Sequence, residues 1–374
     1  MMRFGRALAL TLSLLLLWVP AAGAQNTVSR EQELAAGRYA AARLIAEYPL
    51  LVDADWLAFL GQLRDALQPF SGRPDIPHQV LLLETETPNA ISTPGYLFFT
   101  AGLLRLGLDR DGWAFVMAHE LAHTARRHVA IEIEKAQAAA VLNVLVAVLS
   151  GSAAAGDLAE LLMRVANLGH ARELEVEADV EGYKMAVQAG FDPERAAATL
   201  RVFNEATGRR QERTHWAGTH PGFAERIDRL GQARQRLLEQ GFPQRVIYFT
   251  VEGAAGGLRL RPVRMVETVR DWTFLVEAAN DTASGVEIAN TAVRLALADG
   301  RTIDQVFLRG TLPDQVGPRS RTSGTVVFER PDPAARPVRL LISAAGVELA
   351  LPVSGGGPFR APATPPALPR PPSP

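Results

Sequence analysis

Gly112-Trp113-Ala114-Phe115-Val116-Met117-Ala118-His119-Glu120-Leu121-Ala122-His123-Thr124-Ala125-Arg126-Arg127-His128 is the stretch on which the reading of this 374-residue chain turns. Trp113 to His128 has the composition of a helix, and within it stands the pattern H-E-x-x-H. Residues four apart on a helix project from one face, so the imidazoles of His119 and His123 can reach a single ion at the ~2.0 Å that zinc requires. Glu120 lies one position round the helix and points beside the metal. There its carboxylate can act as general base toward a water whose pKa zinc lowers to about 7.

A hydrolytic zinc takes three protein ligands and keeps a fourth position open. The extended pattern with a third His six residues on is absent, since position 129 is Val, position 126 is Arg, and His128 is one residue out of place. The chain has no cysteine, which excludes thiolate ligands, a thiol nucleophile and disulfides. The remaining ligand must be a carboxylate or another His. Glu173-Leu174-Glu175-Val176-Glu177-Ala178-Asp179 offers candidates. Glu175 and Asp179 share a helical face, so one can bind the ion while the other accepts a hydrogen bond from a ligand imidazole; spacing alone does not say which. Glu173 and Glu177 fall on other faces and read as solvated, and the plain alternative for the whole run is an exposed helix surface.

Working outward, the length favours two domains with flanking segments. Acids and bases nearly cancel to a net charge of -1, so nothing suggests a nucleic-acid partner. Arg3 and Arg6 precede the uncharged run Ala7 to Val19 and the small residues Ala22, Gly23 and Ala24, the arrangement of a signal peptide over 1–24 with cleavage after Ala24, hence a periplasmic or secreted protein. Residues 25–243 are expected to form the metal-bearing domain. Ser29 and Gln32 form a capping-box pattern ahead of two helices reaching about Phe70; Val80–Leu83 and Tyr96–Thr100 read as strands around a turn; helical periodicity then runs from Gly112 to about Gln240. Ala136 to Gly156 carries no charge, but a membrane span there would separate the His pair from the acidic run, so it reads as a buried or membrane-resting helix. Residues 244–354 hold the short β-rich runs Arg245–Val251, Trp272–Ala278, Ala292–Leu297, Thr325–Phe328, Val338–Ile342 and Val347–Leu351, which predict a small antiparallel, immunoglobulin-like β-sandwich. Residues 355–374 are Pro-rich and read as a disordered or polyproline-like tail.

Together these residues resemble the gluzincin metallopeptidases that include the CAAX prenyl endopeptidase, the bacterial heat-shock membrane protease and the periplasmic outer-membrane quality-control proteases. Four elements carry the resemblance in order: Asn89-Ala90 with Pro94-Gly95 and Tyr96–Leu104, the His119–His128 helix, Glu175 with Ala178-Asp179, and Thr219-His220-Pro221 with Glu225-Arg226. The resemblance implies an α+β, mainly helical zincin-like domain with one zinc ion held by His119, His123 and Glu175, and with Asp179 behind the ligands. It places His220 over the cleft, as oxyanion stabiliser or as a plug of the open position; the plain alternative is that Thr219-His220-Pro221 starts a helix. Arg226 either pairs with a carboxylate such as Asp179 or is a surface charge. Tyr96–Thr100 is either an edge strand that receives an extended substrate or a plain core strand. His78, His170 and His215 read as structural. The implied activity is endoproteolysis of polypeptides in envelope quality control, with envelope-protein partners at the β-rich part and peripheral membrane contact as further expectations; the rival is a zinc-binding chaperone or scaffold with latent protease activity.

Overall fold

The computed structural model describes residues 28–135, 171–209, 223–288, 293–306, 312–353 and 365–367. The segment 1–24 read as a signal peptide, the uncharged stretch 136–156, His170, His215 and His220 lie outside the described residues. Among the described residues, no helix is long and apolar enough to cross a membrane.

Helix α1 (Arg30–Glu47) opens with the Ser29–Gln32 capping box, each side chain satisfying the other's backbone N–H. Helix α2 (Ala54–Leu67) is capped by Asp53 and ends in a short 3-10 turn, Gln68–Phe70. A three-stranded sheet follows, with β1 (Gln79–Leu83) parallel to β3 (Tyr96–Thr100) and β2 (Ala90–Thr93) antiparallel to it. The order is β1-β3-β2, so Tyr96–Thr100 is the central strand. Both of its edges are already paired, which rules out the edge-strand reading and leaves a core strand, with Leu97, Phe98 and Phe99 buried. After the single turn α3 (Ala101–Leu104), Asp109 caps α4 (Arg110–Ala125) by accepting from the Gly112 N–H at 2.8 Å. Every residue from Gly112 to Thr124 is buried, so α4 is the axis of the domain rather than an amphipathic surface helix. Against it pack α5 (Arg172–Gln188) and α6 (Glu194–Arg209), and α7 (Phe223–Glu239) packs in turn on α5 and α6.

The β-rich part contains β4 (Arg245–Tyr248), β5 (Gly253–Ala255), β6 (Leu258–Glu267), β7 (Asp271–Asn280), β8 (Val286–Glu287), β9 (Arg294–Leu297), β10 (Thr302–Asp304), β11 (Gln315–Val316), β12 (Ser320–Glu329), β13 (Pro337–Ala344) and β14 (Val347–Pro352). One open sheet has the order β12-β7-β6-β4, with β5 also pairing to β6, and a second has the order β10-β9-β13-β14. Their inward side chains, among them Trp272, Phe274, Phe328, Leu295 and Leu340, share one buried cluster. The two open sheets do not confirm the immunoglobulin-like expectation. In that fold the second and third long strands lie in opposite sheets, whereas β6 and β7 pair side by side here from Leu258–Asn280 to Glu267–Trp272. The two parts of the chain touch through β4: Val246 joins the helical core and the Tyr248 hydroxyl donates to the Gln188 carbonyl at 2.9 Å.

His78 ties the sheet to α4. Its Nδ1 lies 3.0 Å from Gln68 Oε1 and its Nε2 3.1 Å from Thr124 Oγ1, and burial, reinforced by Arg64, lowers its pKa to about 4. The unfolded chain protonates such a His near pH 6.5 and the folded one does not until about 4, so the contribution is complete above 6.5 and lost as pH falls from 6.5 to 4, on the order of 3 kcal/mol. His78→Asn, which keeps a donor toward Gln68, is expected to be less stable at pH 7 yet to lose clearly less on acidification to pH 4.5 in urea unfolding; equal acid losses in both proteins would contradict this.

Candidate metal centre

Helices α4 and α5 meet almost backbone to backbone. A Cβ added at Gly182 would sit 2.8 Å from the His119 nitrogen and 3.0 Å from its Cα, so only Gly allows the approach. Glu175, Asp179 and Gly182 recur at helical spacing on one face of α5, and the close crossing therefore lays both carboxylates against the His pair of α4.

The Nε2 atoms of His119 and His123 are 3.0 Å apart, and the Glu175 carboxylate lies 3.5 Å from each. All three side chains are buried, and their ligand atoms fall within 4.8 Å of one another. Behind them, Asp179 Oδ1 lies 3.0 Å from His119 Nδ1. Arg226, from α7, donates to both Asp179 oxygens at 2.7 Å and to Glu175 Oε2 at 2.8 Å while its guanidinium lies over the Phe223 ring. Arg226 is thus a buried partner of the acidic pair and not a surface charge. Burial works to raise the Asp179 pKa, but the charge and hydrogen bonds of Arg226 hold it below the ordinary carboxylate range. Glu120 is buried next to His119 and interacts electrostatically with the same Arg226.

His128, which the sequence placed outside the ligand pattern, is drawn into this array. Its Nδ1 is 2.9 Å from His123 Nδ1 and its Nε2 is 3.4 Å from Glu177 Oε2, so Glu177 is a partly buried partner and not a solvated side chain. Burial lowers the His128 pKa, which favours the neutral ring, and the contact between the two Nδ1 atoms lets His128 accept from His123. The turn that brings it there is Arg127, in the left-handed region at φ +59°, after which residues 128–135 are helical again. Arg127 is held in that conformation by the Val28 carbonyl and by Glu33, a buried carboxylate that also takes Arg73 at 2.7 Å.

These contacts fit a cation. With Nδ1 of His119 donating to Asp179 and Nδ1 of His123 donating to His128, the two Nε2 lone pairs face each other beside the Glu175 carboxylate, an arrangement that is costly in a buried site unless positive charge lies among them. Burial works to lower the pKa of His119, yet its hydrogen bonds to Asp179 and Glu175 prevail and push it up to about 9. Two imidazoles and one carboxylate suit a borderline ion such as zinc.

Residues 60–234, just under half of the chain, match peptidase family M48. This region is similar to the mitochondrial metalloendopeptidase OMA1 of Schizosaccharomyces pombe, 32% identical over 162 residues that cover 43% of this chain and 48% of that protein. It is also similar to mitochondrial metalloendopeptidase OMA1 of Saccharomyces cerevisiae, 30% identical over 156 residues, 40% of this chain and 44% of that protein. The beta-barrel assembly-enhancing protease of Escherichia coli is 28% identical over 181 residues, 46% of this chain and 37% of that protein. The chain thus covers less than half the length of each of these relatives.

Substitutions at two positions separate the supports of the site. Gly182→Ala should force α4 and α5 apart and weaken zinc binding roughly tenfold or more in a chelator competition; an unchanged affinity would show that the crossing does not set the ligand geometry. His128→Leu removes the acceptor for His123 and should weaken zinc binding by a similar factor, whereas His128→Asn, whose side-chain amide can reproduce the Nδ1 position, should retain most of it. Equal losses in both variants would deny His128 that role.

Proposed function

We propose that the chain, whose residues 60–234 match peptidase family M48, is a zinc-dependent endopeptidase of the bacterial cell envelope that degrades misfolded or misassembled envelope proteins. The observation that carries the proposal is the convergence of His119, His123 and Glu175, three buried side chains from two helices, on one point. Bound zinc would polarise the scissile carbonyl and acidify the attacking water. Glu120 takes that water's proton and returns it to the leaving amine. Asp179 fixes the tautomer of His119 so that Nε2 faces the ion, and Arg226 keeps Asp179 charged and orients Glu175. His220 is assigned, by resemblance, to the open side of the cleft, where an imidazole donor would stabilise the developing oxyanion.

The envelope assignment rests on the leader-like segment with Arg3, Arg6 and Ala7–Val19 and cleavage after Ala24. A relative named as a beta-barrel assembly-enhancing protease supports the same setting. The two packed sheets of 244–354 form a separate domain in this reading and offer a surface to envelope-protein partners.

Purified wild type is expected to hold one zinc per chain and to cleave unfolded casein. Glu120→Gln should keep the zinc and lose cleavage by at least ~10²-fold, while His119→Ala and Glu175→Ala should lose the metal. Undiminished, metal-dependent cleavage by Glu120→Gln would remove Glu120 from this role. A zinc-loaded wild type that suppresses aggregation without cutting would instead favour a chaperone.

A further inference from the structure

Trp56 lies on α2, on the far side of Trp113 from the zinc ligands in sequence and in ring contact with it. It is 1% exposed, its ring stands edge-on to Phe59 at 5.6 Å and to Trp113 at 5.4 Å, and Trp113 in turn meets Phe99 of β3. Its backbone N–H is already used by the Asp53 cap. The indole N–H donates to the carbonyl of Ala367 at 3.0 Å, across 311 positions of sequence. Pro365 and Pro366, immediately before that carbonyl, are half-buried.

An aromatic face that offers one N–H donor is suited to a polyproline chain. Such a chain has locked φ angles, few N–H groups of its own and carbonyls that project outward without internal partners. Aromatic-lined grooves recognise it through ring-on-ring packing and a donor to a carbonyl. The segment 358–374 contains eight prolines, and Pro365-Pro366 stands immediately before the accepting carbonyl of Ala367. Leu50 and Val52, just ahead of the Asp53 cap, leave further apolar surface exposed.

We propose that Trp56 anchors a binding site for proline-rich extended peptide, and that its occupant is this chain's own Pro365-Pro366-Ala367. The connection permits it: eleven residues lie between Val353 and Pro365 and can span up to roughly 40 Å. Tethering also raises the effective concentration of the segment to the millimolar range, so a weak ligand suffices. Occupancy seats the segment against the aromatic layer that supports the zinc helix, because Trp113 lies on α4 six residues before His119. Nothing in this site depends on bound metal.

The test uses the full chain and the indole N–H resonances of its tryptophans, with Trp56 assigned by its loss in Trp56→Phe. In a Pro365→Gly/Pro366→Gly double variant, the Trp56 indole signal should shift and its exchange with solvent should quicken roughly tenfold or more, while the Trp272 signal stays in place as a control for folding. A synthetic peptide of residues 358–374 should then bind the double variant and bring the signal back. By tryptophan-independent calorimetry it should bind roughly five- to tenfold more weakly when Trp56→Phe is added, the loss of one hydrogen bond. An unmoved indole signal in the double variant, or peptide binding indifferent to Trp56→Phe, would overturn the proposal. A wild-type signal that changes on dilution would assign the occupant to a second copy and overturn the own-chain assignment.

Discussion

One carboxylate joins the three helices that make the site. Asp179 on α5 accepts from His119 on α4 through one oxygen and from Arg226 on α7 through both, with every member buried. Desolvating such charges is costly, and a buried pair is stable only when geometry and hydrogen bonding are nearly complete. Asp179 and Arg226 approach that limit, with a two-toothed contact and a third bond from Arg226 to Glu175. The same contacts that repay the burial of Asp179 also aim the ligand atoms. The geometry of the candidate ligand cluster and fold stability are therefore coupled here, and the loss of either partner strands a charge in the core, at a cost of about 3–5 kcal/mol.

The two imidazoles are supported asymmetrically. His119 is backed by an ionised Asp179, while His123 is backed by the neutral ring of His128 and, beyond it, by Glu177 with Arg126. A carboxylate makes the imidazole in front of it a stronger donor to a cation than a neutral ring does. His119 is thus the more strongly polarised of the two candidate imidazole ligands. The Glu33–Arg127 pair that holds the left-handed turn belongs to this support, although α1 contributes no side chain to the ligand cluster itself.

Much of this was legible in the sequence because helix periodicity converts spacing directly into geometry. His119, His123, Glu175 and Asp179 are related by offsets of four within two helices, and the structure sets all four in one buried cluster. The Ser29–Gln32 box and the strands at Gln79–Leu83 and Tyr96–Thr100 were equally local. His128 was not legible as a partner of His123, since five positions along an unbroken helix would point it elsewhere; only the φ of Arg127 turns it back, and Arg is no marker of a left-handed turn. Strand β2 carries Ser92 and Thr93 among turn-forming neighbours and reads as loop, yet β3 needs it to satisfy its second edge. Strand β6 was missed because Arg259, Arg261 and Arg264 line its outer face and Pro262 interrupts it where the ladder slips register. Without β6, the sheet order could not be read, and the immunoglobulin-like arrangement was inferred in its place. The placement of Pro365-Pro366-Ala367 beside Trp56 depends on contacts more than three hundred positions apart, which no local pattern records.

X-ray absorption at the zinc edge of the purified full chain addresses the central claim most directly. The account predicts one ion per chain in a four-coordinate shell of two imidazole nitrogens and two oxygens, one from Glu175 and one from solvent, at about 2.0–2.2 Å. A shell with three imidazoles, or one made of oxygens alone, would contradict it.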